Sequence, residues 1–190
     1  MRQSLTKLAA LMAVAGLFAA TAQAQAPNKL TIGFLTDMSS VYSDLDGKNG
    51  ALAVQMAIDD FGGKVNGMPI ELLTADNQNK ADVALSKARE WFDTQKMQML
   101  IGGTNSAAAL GLAKLAQDRK RIFFVNGSGS SALTNEQCTP YTVHYAWDSV
   151  AVAKGAAAAL TQQGSKDWFI LTADYAFGHA LEADAAKVVK

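Results

Sequence analysis

Residues 97–125 read MQMLIGGTNSAAALGLAKLAQDRKRIFFV, and this stretch decides the fold. Met97 to Ile101 is a short apolar run, Ala107 to Gln117 repeats alanine and leucine at helical spacing, and Ile122 to Val125 is apolar at every position. Strand, helix and strand with no hairpin turn between them describe a βαβ unit. A strand apolar on both faces belongs in a parallel sheet covered from both sides. The expected class is α/β, with a doubly wound parallel sheet.

The same rhythm continues toward the N-terminus. Leu30 to Thr36 reads as a strand, and Ala51, Val54, Ile58 and Phe61 recur at spacings of three and four along one helix face. Gly62-Gly63 stops that helix, and a turn at Asn66-Gly67 leads into a strand over Ile70 to Ala75. Ala81, Leu85, Ala88 and Phe92 then mark the buried face of a second helix. Toward the C-terminus, Gly127 to Asn135 is a polar loop and Tyr141 to Trp147 an extended aromatic segment. A helix is expected over Val150 to Gln162, a strand over Trp168 to Thr172, and a helix from about Phe177. These spacings divide the chain into an α/β lobe over 27–145 and the opening of a second similar lobe over 146–190. One strand and two helices bury too little surface for a core of their own, so the second lobe is expected to be incomplete and the chain truncated.

Residues 1–26 have the layout of a cleavable export leader. Arg2 and Lys7 supply the positive end, Leu8 to Ala20 the apolar stretch, and Ala22-Gln23-Ala24 the small-x-small cleavage pattern. Cleavage after Ala24 or Ala26 is expected, and the apolar stretch is shorter than the ~20 residues that span a bilayer. The expected location is the periplasm, with no membrane insertion after cleavage. Loss of Arg2 and Lys7 leaves 15 basic residues against 17 acidic, a net charge of −2. That balance lacks the basic footprint of a nucleic-acid binder and argues against an anionic membrane surface. Cys138 is the single cysteine, so no disulfide forms within the chain. It is read as a buried small hydrophobe or as the partner of a cysteine elsewhere.

In an open parallel sheet, ligands bind beyond the carboxyl ends of the strands. Gly102-Gly103-Thr104-Asn105-Ser106 ends one strand and opens a helix whose first N–H groups are unpaired. The helix dipole adds ~0.3–1 kcal/mol toward a bound anion there, so a carboxylate can be held by neutral donors, with Asn105 and Ser106 as candidates. The plainer reading, that one of the two caps the helix, stays open beside it. Asn126 to Ser131 follows the next strand. Its Gly127-x-Gly129-x-x-Ala132 pattern superficially matches a dinucleotide fingerprint, but Pro140 leaves too little room for the helix that fingerprint needs before Asp148. Ser128, Gly129 and Ser130 are therefore read as backbone for close ligand approach, or as an ordinary turn. Tyr42, Tyr175 and Phe177 lie after strands, where aromatic side chains can line a cleft.

Catalytic and metal readings find little. His144 and His179 are isolated, no cluster has metal-ligand spacing, and no Gly-x-Ser-x-Gly elbow is present. Asp37, Asp76 and Asp174 sit near strand ends, where Asp commonly caps helices. No cofactor is implied.

Lys29-Leu-Thr-Ile-Gly-Phe-Leu35, Asn49-Gly-Ala51, Asp60-Phe-Gly-Gly63, Leu100-Ile-Gly-Gly103 with Asn105-Ser106, and Ala173-Asp-Tyr-Ala-Phe-Gly178 together carry a resemblance. The chain resembles the type I periplasmic binding proteins, in the branch of Leu/Ile/Val and amide receptors. The resemblance implies a two-lobed receptor of Venus-flytrap form that hands a small molecule to the membrane permease of an ABC importer. It implies that Ser106, Ser128, Gly129 and Ser130 grip a carboxylate, with Tyr42 and Phe177 in the cleft. Relatives often carry Ala-Ala where this chain has Ser128-Gly129. The ligand expected is a small carboxylate- or amide-bearing metabolite, an amino acid or aromatic acid. The alternatives are a periplasmic sensory subunit for a kinase or chemoreceptor and, further off, an exported hydrolase.

Overall fold

Leu35, Leu100, Phe123 and Val125, from three neighbouring strands, converge on one buried cluster, and the sheet forms around it. The computed structural model describes residues 28–189; the expected export leader lies outside them. The order is β1 (Leu30–Thr36), α1 (Gly47–Asp60), β2 (Lys64–Val65), β3 (Met68–Asp76), α2 (Ala81–Thr94), β4 (Met99–Gly102), α3 (Ser106–Arg119), β5 (Ile122–Val125), a 3₁₀ turn (Ser131–Leu133) and β6 (Thr142–His144). Then come α4 (Ser149–Ala153), a π-helical segment (Lys154–Ala158) and α5 (Ala159–Gln162), which run on in helical dihedrals, and finally α6 (Ala176–Val189).

The sheet has the order β2-β3-β1-β4-β5-β6. Every pairing is parallel except that of β2 with β3, a short hairpin around Asn66-Gly67. From β1 the chain crosses to β3 on one side and later to β4 on the other, so the order reverses between β1 and β4. Such a reversal is where open parallel sheets place their ligand crevices, beyond the carboxyl ends of the strands.

Helices α2 and α3 cover one face of the sheet. Ala84, Ala88, Trp91 and Phe92 from α2 meet Ala108, Ala109, Leu112, Ala113 and Ala116 from α3 over the strands. The alanines let the two helices pack closely, and each fully buried Leu or Phe contributes about 2 kcal/mol. On the opposite face α1 lays Ile58 toward the sheet, and Phe34 is fully buried beneath Gly50. A Cβ on Gly102, at φ +132°, would stand 2.1 Å from the Leu35 carbonyl oxygen, so glycine there lets β4 end against β1.

Four expectations are corrected. Trp168 to Thr172 pairs with no strand, and Phe169 and Leu171 are 91% and 90% exposed, because no described segment lies alongside to complete a ladder. Tyr141 to Trp147, expected only as an extended segment, contributes β6 to the sheet. Phe61, expected on the buried face of α1, is the exposed C-cap just past the helix. Cys138 is exposed rather than buried, since it sits in the turns that follow the 3₁₀ segment.

Candidate ligand-binding site

Three strand ends at the reversal are fastened by one carboxylate. Asp46 stands at the N-cap position of α1, yet its side chain does not cap that helix. It accepts hydrogen bonds from Thr36 Oγ1 at 2.6 Å, Thr104 Oγ1 at 2.5 Å and Asn126 Nδ2 at 3.4 Å, the residues that end or follow β1, β4 and β5. Thr36 and Thr104 also meet each other at 3.2 Å. Asn126 keeps its Oδ1 buried without a partner among the described residues.

Asp37, fully buried, organises the loop after β1. It accepts from the Ser40 hydroxyl at 2.6 Å and from the backbone N–H groups of Ser40, Tyr42 and Ser39 at 2.8, 2.9 and 3.2 Å. Burial alone would raise its pKa, but these donors together hold it below the ordinary carboxylate value. Asp76 behaves likewise: burial opposes, while Ser39, the N–H groups of Met38 and Gln78, and the charge of Lys48 bring its pKa down. The expectation that such Asp residues serve as caps gives way to a related role, since both fold the loop that carries Tyr42.

On the α3 side, Asn105 caps the helix by accepting from Ala108 N–H at 3.0 Å, and its amide donates to Asn79 Oδ1 at 2.6 Å. Ser106, buried in the first turn, accepts from the Ser128 hydroxyl at 2.9 Å. Ser128 and Ser130 are buried as well, and His144 Nε2 lies 2.6 Å from the Ser128 carbonyl oxygen, which fixes the loop after β5 to the end of β6. The structure thus brings Ser106 and Ser128 together and engages Asn105 fully in structural bonds.

The far wall is aromatic. The Tyr42 and Tyr175 hydroxyls hydrogen-bond to each other. Burial, this bond and the proximity of Tyr42 push the Tyr175 phenol well above its ordinary value. Phe177 packs edge-on against Trp147, with ring centroids 5.5 Å apart and planes at 77°, and lies 6.0 Å from Tyr175. Both rings lean on Gly129: a Cβ there would fall 2.3 Å from Trp147 and 3.0 Å from Phe177. Glycine at this position makes room for the aromatic pair.

Sequence reasoning missed Asp46, Trp147, His144 in its bonding role, and Asp184. Trp147 was findable by the strand-end rule, because it follows β6; the short Thr142–His144 strand hid it. Asp184, on α6, accepts from Ser149 Oγ at 2.7 Å, Ser131 Oγ at 2.9 Å and Lys187 Nζ at 2.9 Å. It joins α6 to the loop after β5, and nothing in its spacing announces this.

A cavity of about 400 Å³ lies between α4, α5, α6 and residues 168–173, with Phe177 of the aromatic wall in its lining. Its lining is nearly all apolar, so it lacks the converging polar groups of the crevice. Among the described residues no cluster of His, Cys, Asp or Glu could hold a metal, and no helix is long and apolar enough to cross a membrane.

The sheet reversal, the buried hydroxyls at a helix start and the aromatic wall accompany a clear family assignment: the chain belongs to the periplasmic binding protein family, whose model matches residues 29–190. A periplasmic binding protein from Burkholderia mallei is 57% identical with a TM-score of 0.83, over 85% of this chain and 43% of that one. A branched-chain amino acid ABC transporter periplasmic ligand-binding protein from Burkholderia xenovorans is 36% identical with a TM-score of 0.72, over 85% and 43%. An ABC transporter solute-binding protein from Rhodopseudomonas palustris, in complex with p-hydroxybenzoic acid, is 26% identical with a TM-score of 0.75, over 85% and 43%. The chain thus spans less than half the length of these solved relatives. No curated protein matches it.

Proposed function

We propose that this chain provides the ligand grip of the substrate-binding protein of an ABC importer, and that its ligand is a small metabolite bearing a carboxylate or amide. The observation that carries the reading is the buried Ser106–Ser128 hydroxyl pair beside Gly129, where Trp147 and Phe177 close in. Neutral donors at the start of α3 suit a carboxylate, each charge-assisted hydrogen bond contributing roughly 1.5–3 kcal/mol. Tyr42, Tyr175, Phe177 and Trp147 suit an apolar or aromatic body. The buried Asn126 Oδ1 suits an amide or ammonium donor on the same ligand.

In this reading residues 27–145 form one lobe and 146–190 open another, and the Tyr42–Tyr175 bond joins them across the ligand. The protein binds without turnover, uses no cofactor, and passes its ligand to a membrane permease. The leader over 1–26 delivers it to the periplasm. Calorimetric titration of the purified protein against branched-chain amino acids, benzoates and short amides tests the ligand class. Binding within one of these groups is expected; tight binding of a sugar and of none of them would refute it.

A further inference from the structure

Helix α1 turns an apolar stripe outward. Ile58 and Gly47 mark its buried side, whereas Leu52 and Met56, one turn apart, are 58% and 56% exposed. Val41 and Leu45, in the turns that lead into the helix, are exposed as well. The charges around this stripe are sorted by end. Lys48 and Asn49 lie in the first turn, and Asp59 and Asp60 end the helix. At about 100° per residue, Lys48 and Asp59 fall on one flank of the Leu52–Met56 line, and Asn49 and Asp60 on the other.

We propose that α1 is a self-association surface, pairing antiparallel with α1 of a second copy of this chain about a two-fold axis midway between Leu52 and Met56. Such an axis reverses the direction of the helix but keeps each flank on its own side. Leu52 of one copy then meets Met56 of the other. Lys48 comes beside the partner copy's acidic end at Asp59, and Asn49 beside Asp60, each twice by symmetry. The arrangement is self-complementary in both shape and charge, which an arbitrary exposed patch is not. Among the described residues Lys48 and Asp60 enter no ion pair, and Gln55 occupies only one oxygen of Asp59. A single helix pair buries less than the ~1,200 Å² of lasting complexes, so the dimer forms reversibly at high concentration.

Sedimentation velocity on the purified protein is expected to show monomer at about 1 μM and a growing dimer fraction toward several hundred micromolar. Lys48→Asp should lower the association constant at least tenfold by facing like charges, and Asp59→Lys should do the same. Combining the two exchanges the signs and should restore association to within about threefold of the original. The charge of Lys48 also reaches Asp76, and this rescue separates a broken interface from a disturbed β3 end. A monomer at every concentration overturns the proposal, as when the stripe meets a permease instead. A dimer indifferent to both single variants, or not rescued by the pair, overturns it too.

Discussion

The hydroxyl of Tyr42, in the loop after β1, meets the hydroxyl of Tyr175, just before α6, across 133 residues of sequence. Burial of Tyr175 and the neighbouring phenol both oppose its ionisation, and its pKa rises well above 10.0. Tyr42→Phe removes the bond and leaves the burial, so the Tyr175 pKa should move back toward 10.0 without reaching it. An ultraviolet titration of the phenols reads this directly. With the folded value raised, Tyr175 stabilises the fold below its unfolded pKa of 10.0, and that contribution is lost as pH rises from there through the folded value. The wild-type thermal midpoint should therefore fall in alkali more steeply than that of Tyr175→Phe.

A methyl group on Gly129 would collide with Trp147 at 2.3 Å and press on Phe177 at 3.0 Å. Gly129→Ala should displace Trp147 and cost about 1–3 kcal/mol as an overpacked site. Trp147→Ala in the same chain should recover part of that loss, which separates a clash with the ring from an effect on the loop backbone. Urea denaturation followed by circular dichroism measures both.

The sheet was legible because its signals are local and redundant. Ile122 to Val125 is apolar throughout and Ala81, Leu85, Ala88 and Phe92 keep helical period, so strand and helix each carry their own mark. The candidate site was legible only where it follows such marked elements, as with Ser106 and Ser128, which the structure brings together. Asp46 and Asp184 escaped because each acts through partners distant in sequence: Asp46 reaches Thr104 across 58 residues and Asp184 reaches Ser131 across 53; Trp147 escaped because β6 before it is only three residues long. Trp168 to Thr172 shows the converse. Its β-type composition is genuine, but a strand also needs a neighbouring strand, and among the described residues none pairs with it.

Asp184 is 5% exposed and accepts three side-chain hydrogen bonds. Burial works to raise its pKa, while Ser149, Lys187 and Ser131 together bring it below 3.8. A carboxylate with a depressed folded value stabilises the protein above its unfolded pKa and stops doing so as pH falls through the folded one. Lowering the pH from 5 toward 2 should therefore loosen α6 from the loop after β5. Asp184→Asn should flatten that part of the pH dependence and cost about 2 kcal/mol at neutral pH, the worth of a hydrogen bond to a charged acceptor. Urea midpoints across the acid range check both.

Ser106→Ala and Asp46→Ala should separate gripping from positioning. Ser106 presents a hydroxyl that Ser128 already satisfies at 2.9 Å, so its removal leaves one buried donor to rotate elsewhere and costs about 1 kcal/mol of stability. If that hydroxyl also holds a ligand carboxylate, affinity should drop about tenfold or more, since one charge-assisted bond is lost. Asp46 touches no aromatic wall; it holds Thr36, Thr104 and Asn126 in register. Asp46→Ala frees these three groups together and should cost about 2–4 kcal/mol in stability, with affinity falling because the strand ends no longer keep their spacing. Asp46→Asn keeps one acceptor oxygen, enough for Thr36 or for Thr104 but not both; the other hydroxyl must turn to accept from the new amide, so only part of the stability should return. Denaturation and titration of the same three variants distinguish the roles: Ser106→Ala should lose affinity out of proportion to stability, and Asp46→Ala should lose both.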